Sequence, residues 1–256
     1  MNKYLTLLFS FLFLPNTFAQ FDLQYGTSAR SYPSLSGDLN ANAGYSFPLW
    51  GTPSKTSTMY GLVRPNINLD TSVVVSSYDA NLTIFPISFI GLGLGKKEMK
   101  SNYDEFTYYD CETIRCKGSL NKVYTMAKIA LAYGPLLGTY YYKHFNNEYD
   151  DQKSQSLPVA EYEFALEVNP SEETQVQKTA FLGFKIAEST IGIVSNKVEF
   201  LKSDKSYFLN IGIFQTQLSM FKAIIGAGTL GSTDIKPNGV IVFKLTHHLW
   251  PSLALF

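Results

Sequence analysis

The chain has 256 residues, room for one domain of substantial size. Lys and Arg number 21 and Asp and Glu 21, so no net charge draws in nucleic acid, and that partner class drops out. Arginine occurs only at Arg30, Arg64 and Arg115, which argues against a pore for strongly anionic sugars, where rings of basic side chains are expected.

Lys3 supplies a small positive start, Tyr4 to Leu14 an apolar run of about 11 residues, and Pro15 ends it. Small residues at Thr17 and Ala19 then precede a cut after Ala19, so residues 1–19 read as an export signal. A membrane helix needs ~20 apolar residues, and no later run reaches that length. Any crossing by the remaining chain, 20–256, therefore has to use strands. The 17 Tyr and 19 Phe suit such strands and the aromatic girdles at a membrane interface.

From Phe21 the chain alternates between apolar and polar or small residues, the period of a strand with two different faces. Phe21 to Arg30 and Leu39 to Leu49 come first; Thr58 to Asn66 is weaker, because Pro65 interrupts it. From Thr71, Tyr78, Ala80, Leu82 and Ile84 oppose Ser77, Asp79, Asn81 and Thr83, up to a turn at Pro86. Ser88 to Lys97 sets Ile90, Leu92 and Leu94 against Gly91, Gly93 and Gly95. These glycines lead into no helical period, so they are not a phosphate cradle; missing side chains would leave lumen volume.

A polar stretch, Asn102 to Gly118, holds the two cysteines, Cys111 and Cys116. In an exported chain a local disulfide is expected, and no histidine lies close enough in sequence to suggest a metal. Asn121 to Tyr133 and Leu136 to Phe145 follow, separated by a Gly134-Pro135 turn, and Asn146 to Ser156 reads as a charged loop. Pro158 to Asn169 has the strictest alternation. Ala160, Tyr162, Phe164, Leu166 and Val168 lie on one face and Glu161, Glu163 and Glu167 on the other, before a turn at Asn169-Pro170. Val176 to Ile186 and Ile191 to Leu201 come next, then the strand through Tyr207, Leu209, Ile211 and Ile213, then Ser219 to Thr229 and Gly239 to Leu249.

About twelve strands behind an export signal predict an all-β, antiparallel, up-and-down transmembrane barrel with lipid outside and a polar lumen inside; ten or fourteen strands also fit. Short turns alternate with the longer connections Ser31–Asp38, Asn102–Gly118 and Asn146–Ser156, as an even-stranded barrel with both ends on one side requires. The final Phe256 resembles the C-terminal signature of bacterial outer-membrane barrels, a terminal aromatic with apolar residues at alternate positions. Ala254 and Trp250 fit that signature, and Ser252 and Pro251 depart from it. The resemblance implies a Gram-negative outer membrane, contact with its lipid and lipopolysaccharide, and recognition of the last strand by the barrel-assembly machinery.

On this reading the lumen carries both signs, with Asp22, Asp79, Glu161, Glu163, Glu167 and Glu199 acidic and Arg30, Lys122, Lys128, Lys185, Lys197 and Lys244 basic. Glu161 and Glu163 repel unless a cation stands between them, and Lys185 on the next strand is the expected partner. Such a set either forms a cation-favouring constriction or fills a narrow lumen with salt bridges. Histidine occurs only at His144, His247 and His248, without a serine motif, so no catalytic set and no cofactor are expected. Two functions stand in front: a small porin-like channel for ions or small solutes, and a closed barrel whose loops serve adhesion, envelope structure or partner binding. A soluble exported β-sandwich, whose apolar face would need a second sheet, is the third reading.

Overall fold

The computed structural model describes residues 20–32, 35–51, 59–72, 74–101, 103, 110–150, 158–161, 163–164, 166–168 and 173–250, with backbone alone at 150 and 250. The export signal, the Asn169-Pro170 turn, the end of the charged loop and the terminal Phe256 lie outside these residues.

Strands β1 (Gln20–Arg30), β2 (Ser36–Trp50), β3 (Gly61–Ser72), β4 (Val75–Ile87), β5 (Ile90–Ser101), β6 (Gly118–Tyr133) and β7 (Leu136–Asp150) pair in sequence. The short β8 (Val159–Glu161) and β9 (Leu166–Val168) pair only with each other. β10 (Glu173–Ile186), β11 (Ser189–Phe200), β12 (Lys205–Leu218), β13 (Phe221–Ser232) and β14 (Asn238–Trp250) complete the wall. β10 joins β7 directly and β14 joins β1, which gives a closed antiparallel barrel of the twelve longer strands. Closure leaves no edge with unpaired amides, the one strand arrangement that survives in hydrocarbon.

Alternation on the wall follows the sequence. On β5, Leu92 and Leu94 are exposed on the outer face, while Gly91, Gly95 and Met99 are buried on the inner one. Higher on the same outer face stand Lys96, Glu98 and Lys100. β11 repeats the change, with Ile191 and Ile193 followed by Ser195, Lys197 and Glu199. The outer apolar belt thus ends part-way up the strands. Strands of 11–16 residues reach or exceed the ~9–11 that a bilayer needs, and the surplus of the longer ones rises above the belt at one rim. That rim carries the long connections 102–117 and 151–172; the opposite rim has two-residue turns such as Gly134-Pro135.

Pro65 does not end β3. The ladder from β3 to β2 lapses between Asn66 and Val63, while Pro65 keeps Leu82 of β4 opposite it, so the missing amide falls in the gap. Beside it, Arg64 reaches across β2 to Asp22 of β1, with Nη2 2.6 Å from Oδ1. The guanidinium occupies the space that a Cβ on Gly44 would need, at 2.6 Å, which is why position 44 carries no side chain.

Candidate functional site

The segment 158–168 is not a wall strand. It is a hairpin folded into the barrel mouth at the long-connection rim, and this corrects the sequence expectation. Glu161 explains the turn. Its Oε2 accepts the backbone amides of Glu163 at 2.9 Å and Phe164 at 2.8 Å, which fixes a tight reversal right after β8. Leu166, Val168 and Phe164 then pack against Val198, Phe200 and Tyr207 on the inner faces of β11 and β12. The rings of Phe164 and Tyr207 lie 4.9 Å apart. Phe164, expected to face lipid, is only 8% exposed and lies inside.

The other side of the hairpin is held by charge. Lys122 on β6 points inward and is fully buried, as is Glu161. The ammonium lies 2.6 Å from Glu161 Oε1, 2.8 Å from Glu163 Oε2 and 3.2 Å from Gln175 Oε1, so each of its three protons has an acceptor. Lys97 on β5 pairs with the remaining oxygen of Glu163. The ring of Phe164 and that of Phe145 flank the Lys122 ammonium at 5.6 and 5.8 Å. Burial opposes ionisation of Glu163, but Lys122 and Lys97 outweigh it and hold the carboxyl below the usual carboxylate range. The two carboxylates therefore coexist because two lysines stand between and beside them, neither of which is the expected Lys185.

The described part of the cysteine loop holds the start of the hairpin. Cys111 and Cys116 form a disulfide, as expected. Arg115 between them donates its amide to Pro158 O at 2.9 Å and accepts from Ala160 N at 3.0 Å, and Ile114 and Cys116 bury Ala160. On the far side, Asp234 accepts the Glu167 amide at 3.1 Å and pairs with Lys205.

Below the hairpin the lumen is occupied by side chains. Tyr124 donates to Asp79 at 2.7 Å, and its ring lies where a Cβ on Gly95 would stand, at 2.5 Å. Phe85 occupies the place beside Gly91, Met126 the place beside Gly93, and Phe181 that beside Gly183 and Gly192. The glycines expected to leave open volume instead seat large side chains from neighbouring strands.

The remaining expected residues divide. Asp79 is buried inside, with Tyr124 and Asn81 as its donors. Glu161 and Glu163 face the lumen from the hairpin. Glu167 is half-buried at the long-connection rim. Lys185 lies at the opposite rim, where its amide bonds Pro135 O at 2.8 Å, so it is out of reach of the carboxylates. Lys197 and Glu199 are corrected: they stand on the outer face of β11 above the apolar belt, paired with each other at 2.7 Å. The inner face there is Val198 and Phe200, which meet the hairpin. Lys97 was the residue missed; its place on the inner face of β5, in line with Gly91, Gly93 and Gly95, was the available signal.

No family model matches the chain, and no curated protein matches it. Solved structures of barrels do. OmpT, an outer membrane protein of Vibrio cholerae, covers 98% of its own length and 90% of this chain, with 8% identity and a TM-score of 0.44. The beta domain of the Bordetella autotransporter BrkA covers 98% of its own length and 90% of this chain, at 7% identity and a TM-score of 0.38. Wzi of Escherichia coli, a carbohydrate-binding barrel, covers 84% of its own length and 90% of this chain, at 8% identity and a TM-score of 0.35. Likeness at this level says nothing of what this chain does.

The histidines do not converge on one site. His247 is buried on the outer face between Tyr25 and Phe221, with ring centroids 5.1 and 4.9 Å away. His248 faces inward on the same strand, and His144 faces outward on β7, opposite Val176.

Proposed function

We propose that this protein is an outer-membrane β-barrel, closed at rest at its long-connection rim, that works by binding at and beneath that rim rather than by passive diffusion. The observation that carries this reading is the hairpin 159–168 seated in the mouth, with Lys122 and Glu161 paired at 2.6 Å and both fully buried. A buried pair of this kind is lost only at considerable cost, so the hairpin is a plug rather than a flap. The closed outline of the wall and the outer apolar belt support a place in a bilayer. Lys96, Lys100 and Lys197, standing outward above the belt, suit the phosphates of lipopolysaccharide.

A porin-like channel keeps one supporting observation, a cavity of about 650 Å³ beside the plug. Against it stand the rings and long side chains that fill the space over the glycines. Two measurements test the proposal. In cells the protein should fractionate with the outer membrane and need detergent for release. Liposomes carrying the refolded barrel should not swell in small sugars. Release in a soluble fraction, or swelling at a porin-like rate, would overturn it.

A further inference from the structure

The lumen has two unlike walls. A water-filled channel is expected to be polar all round. Here the inner faces of β11 to β14 carry Val194, Ile211, Ile213, Ile224 and Val242, and those of β1 to β5 carry Ser28, Arg30, Asp38, Asn40, Asp70 and Lys97. The cavity of about 650 Å³ lies between them, with Phe164 and Glu163 of the plug as part of its lining. Its volume falls within the ~300–1,000 Å³ usual for small-molecule sites.

The two characters also separate with depth. Ile213 and Ile224 lie towards the short-turn ends of their strands and, with Val194 at the middle of β11, form the deep end, with Lys244 beside them. Arg30, Ser36 and Ser72 are terminal residues of β1, β2 and β3 at the long-connection rim and form the entrance. The entrance holds both signs of charge. Arg30 binds Ser36 Oγ at 3.0 Å through Nε, which leaves its terminal nitrogens for other partners. Asp38 accepts from Ser28 and Asn40, and Asp70 accepts from Ser77 at 3.4 Å. Lys97 and Glu163 answer each other.

We infer that this cavity binds a single-chain amphiphile with a zwitterionic head, its alkyl chain running down the β11–β14 wall and its head at the entrance. A phosphate would face Arg30, and the ammonium of the same head would face Asp38 and Asp70. A simple fatty acid brings no cation to the two carboxylates, and a simple alkylammonium brings no anion to Arg30. The lysophospholipids have this chemistry. The inference rests on the plugged-barrel reading in that the plug supplies Phe164 and Glu163 to the lining.

The test uses the full mature barrel in amphipol, with protein-free amphipol as blank. Calorimetric titration compares a lysophosphocholine, a fatty acid and an alkyltrimethylammonium of equal chain length. Saturable binding of the lysophosphocholine is expected, at least tenfold tighter than either of the others. Ile224→Trp, which fills the deep end, should weaken it at least tenfold. Val194→Phe should do the same from β11 of the same wall, in case the first variant fails to fold. Ile225→Trp, one residue along on the outer face, should leave affinity unchanged. Heat-modifiable gel migration reports folding of each variant. Absence of saturable binding, equal affinity for the three heads, or binding indifferent to both filling variants would overturn the inference. Liposome swelling together with intact binding would overturn the plugged reading and leave the pocket standing.

Discussion

At the scale of single residues the lumen is organised by side chains that answer a buried charge. Lys122 is the clearest, because its three protons are taken by Glu161, Glu163 and Gln175 with no exposure of the ammonium. Removing it strands a buried carboxylate, so Lys122→Ala should lower the urea stability of the folded barrel by about 3–5 kcal/mol. Lys96→Ala, which breaks an exposed pair with Glu98, should cost under about 1 kcal/mol in the same assay. Gly95 tests the packing below. An added Cβ there meets the Tyr124 ring at 2.5 Å and would push its hydroxyl away from Asp79, so Gly95→Ala should cost about 1–3 kcal/mol. At Gly138 the nearest atom stands 4.0 Å away, and Gly138→Ala should stay within about 0.5 kcal/mol of the parent. Equal costs within either pair would contradict the packing described.

At the scale of elements, alternation identified the strands but not always the medium each face meets. On β4, β5, β6 and β10 the more apolar face is the outer one, and the sequence reading of their faces holds. On β11 and β12 it fails. Val194, Val198 and Phe200, and Tyr207, Leu209, Ile211 and Ile213, form an apolar stripe that looks inward, because a plug and a pocket wait for it there. Outward at the same level are Ser195, Lys197 and Glu199, above the belt and in water. Period two reports that two faces differ; which of them meets lipid depends on partners distant in sequence. The segment 158–169 is the extreme case. Its alternation is strict, yet Ala160 and Glu161, on opposite faces, are both buried, one by the cysteine loop and the other by Lys122.

The plug as an element has an acid dependence. The Glu163 carboxyl is held below its usual range in the folded state and returns to about 4.3 when the chain unfolds. Its stabilising contribution is therefore complete above that unfolded value and is lost as pH falls through it towards the folded value. Urea midpoints of the parent should exceed those of Glu163→Gln at pH 7, and the gap should close as the pH drops below about 4. A gap independent of pH would mean that the lysines do not hold Glu163 ionised.

At the scale of the whole molecule, a twelve-stranded wall of one regular kind encloses a lumen of two kinds, polar along β1 to β5 and apolar along β11 to β14. The closed wall, its antiparallel order and the disulfide were all legible in the sequence, because they follow from local alternation and local spacing. The plug was not, because Glu161, Lys122 and Lys97 lie on separate elements that only barrel closure brings together.

Single-channel conductance in a planar bilayer tests the plug most directly, comparing the mature protein with a variant in which a Gly-Ser linker replaces residues 158–168. The parent should be electrically silent while folded, and the variant, folded by the same gel criterion, should open small steps of uniform size, limited by the Phe85, Met126 and Phe181 side chains that stay below. Steps of equal size and frequency in the two proteins would contradict the account, since the hairpin would then leave the lumen as open as its absence does.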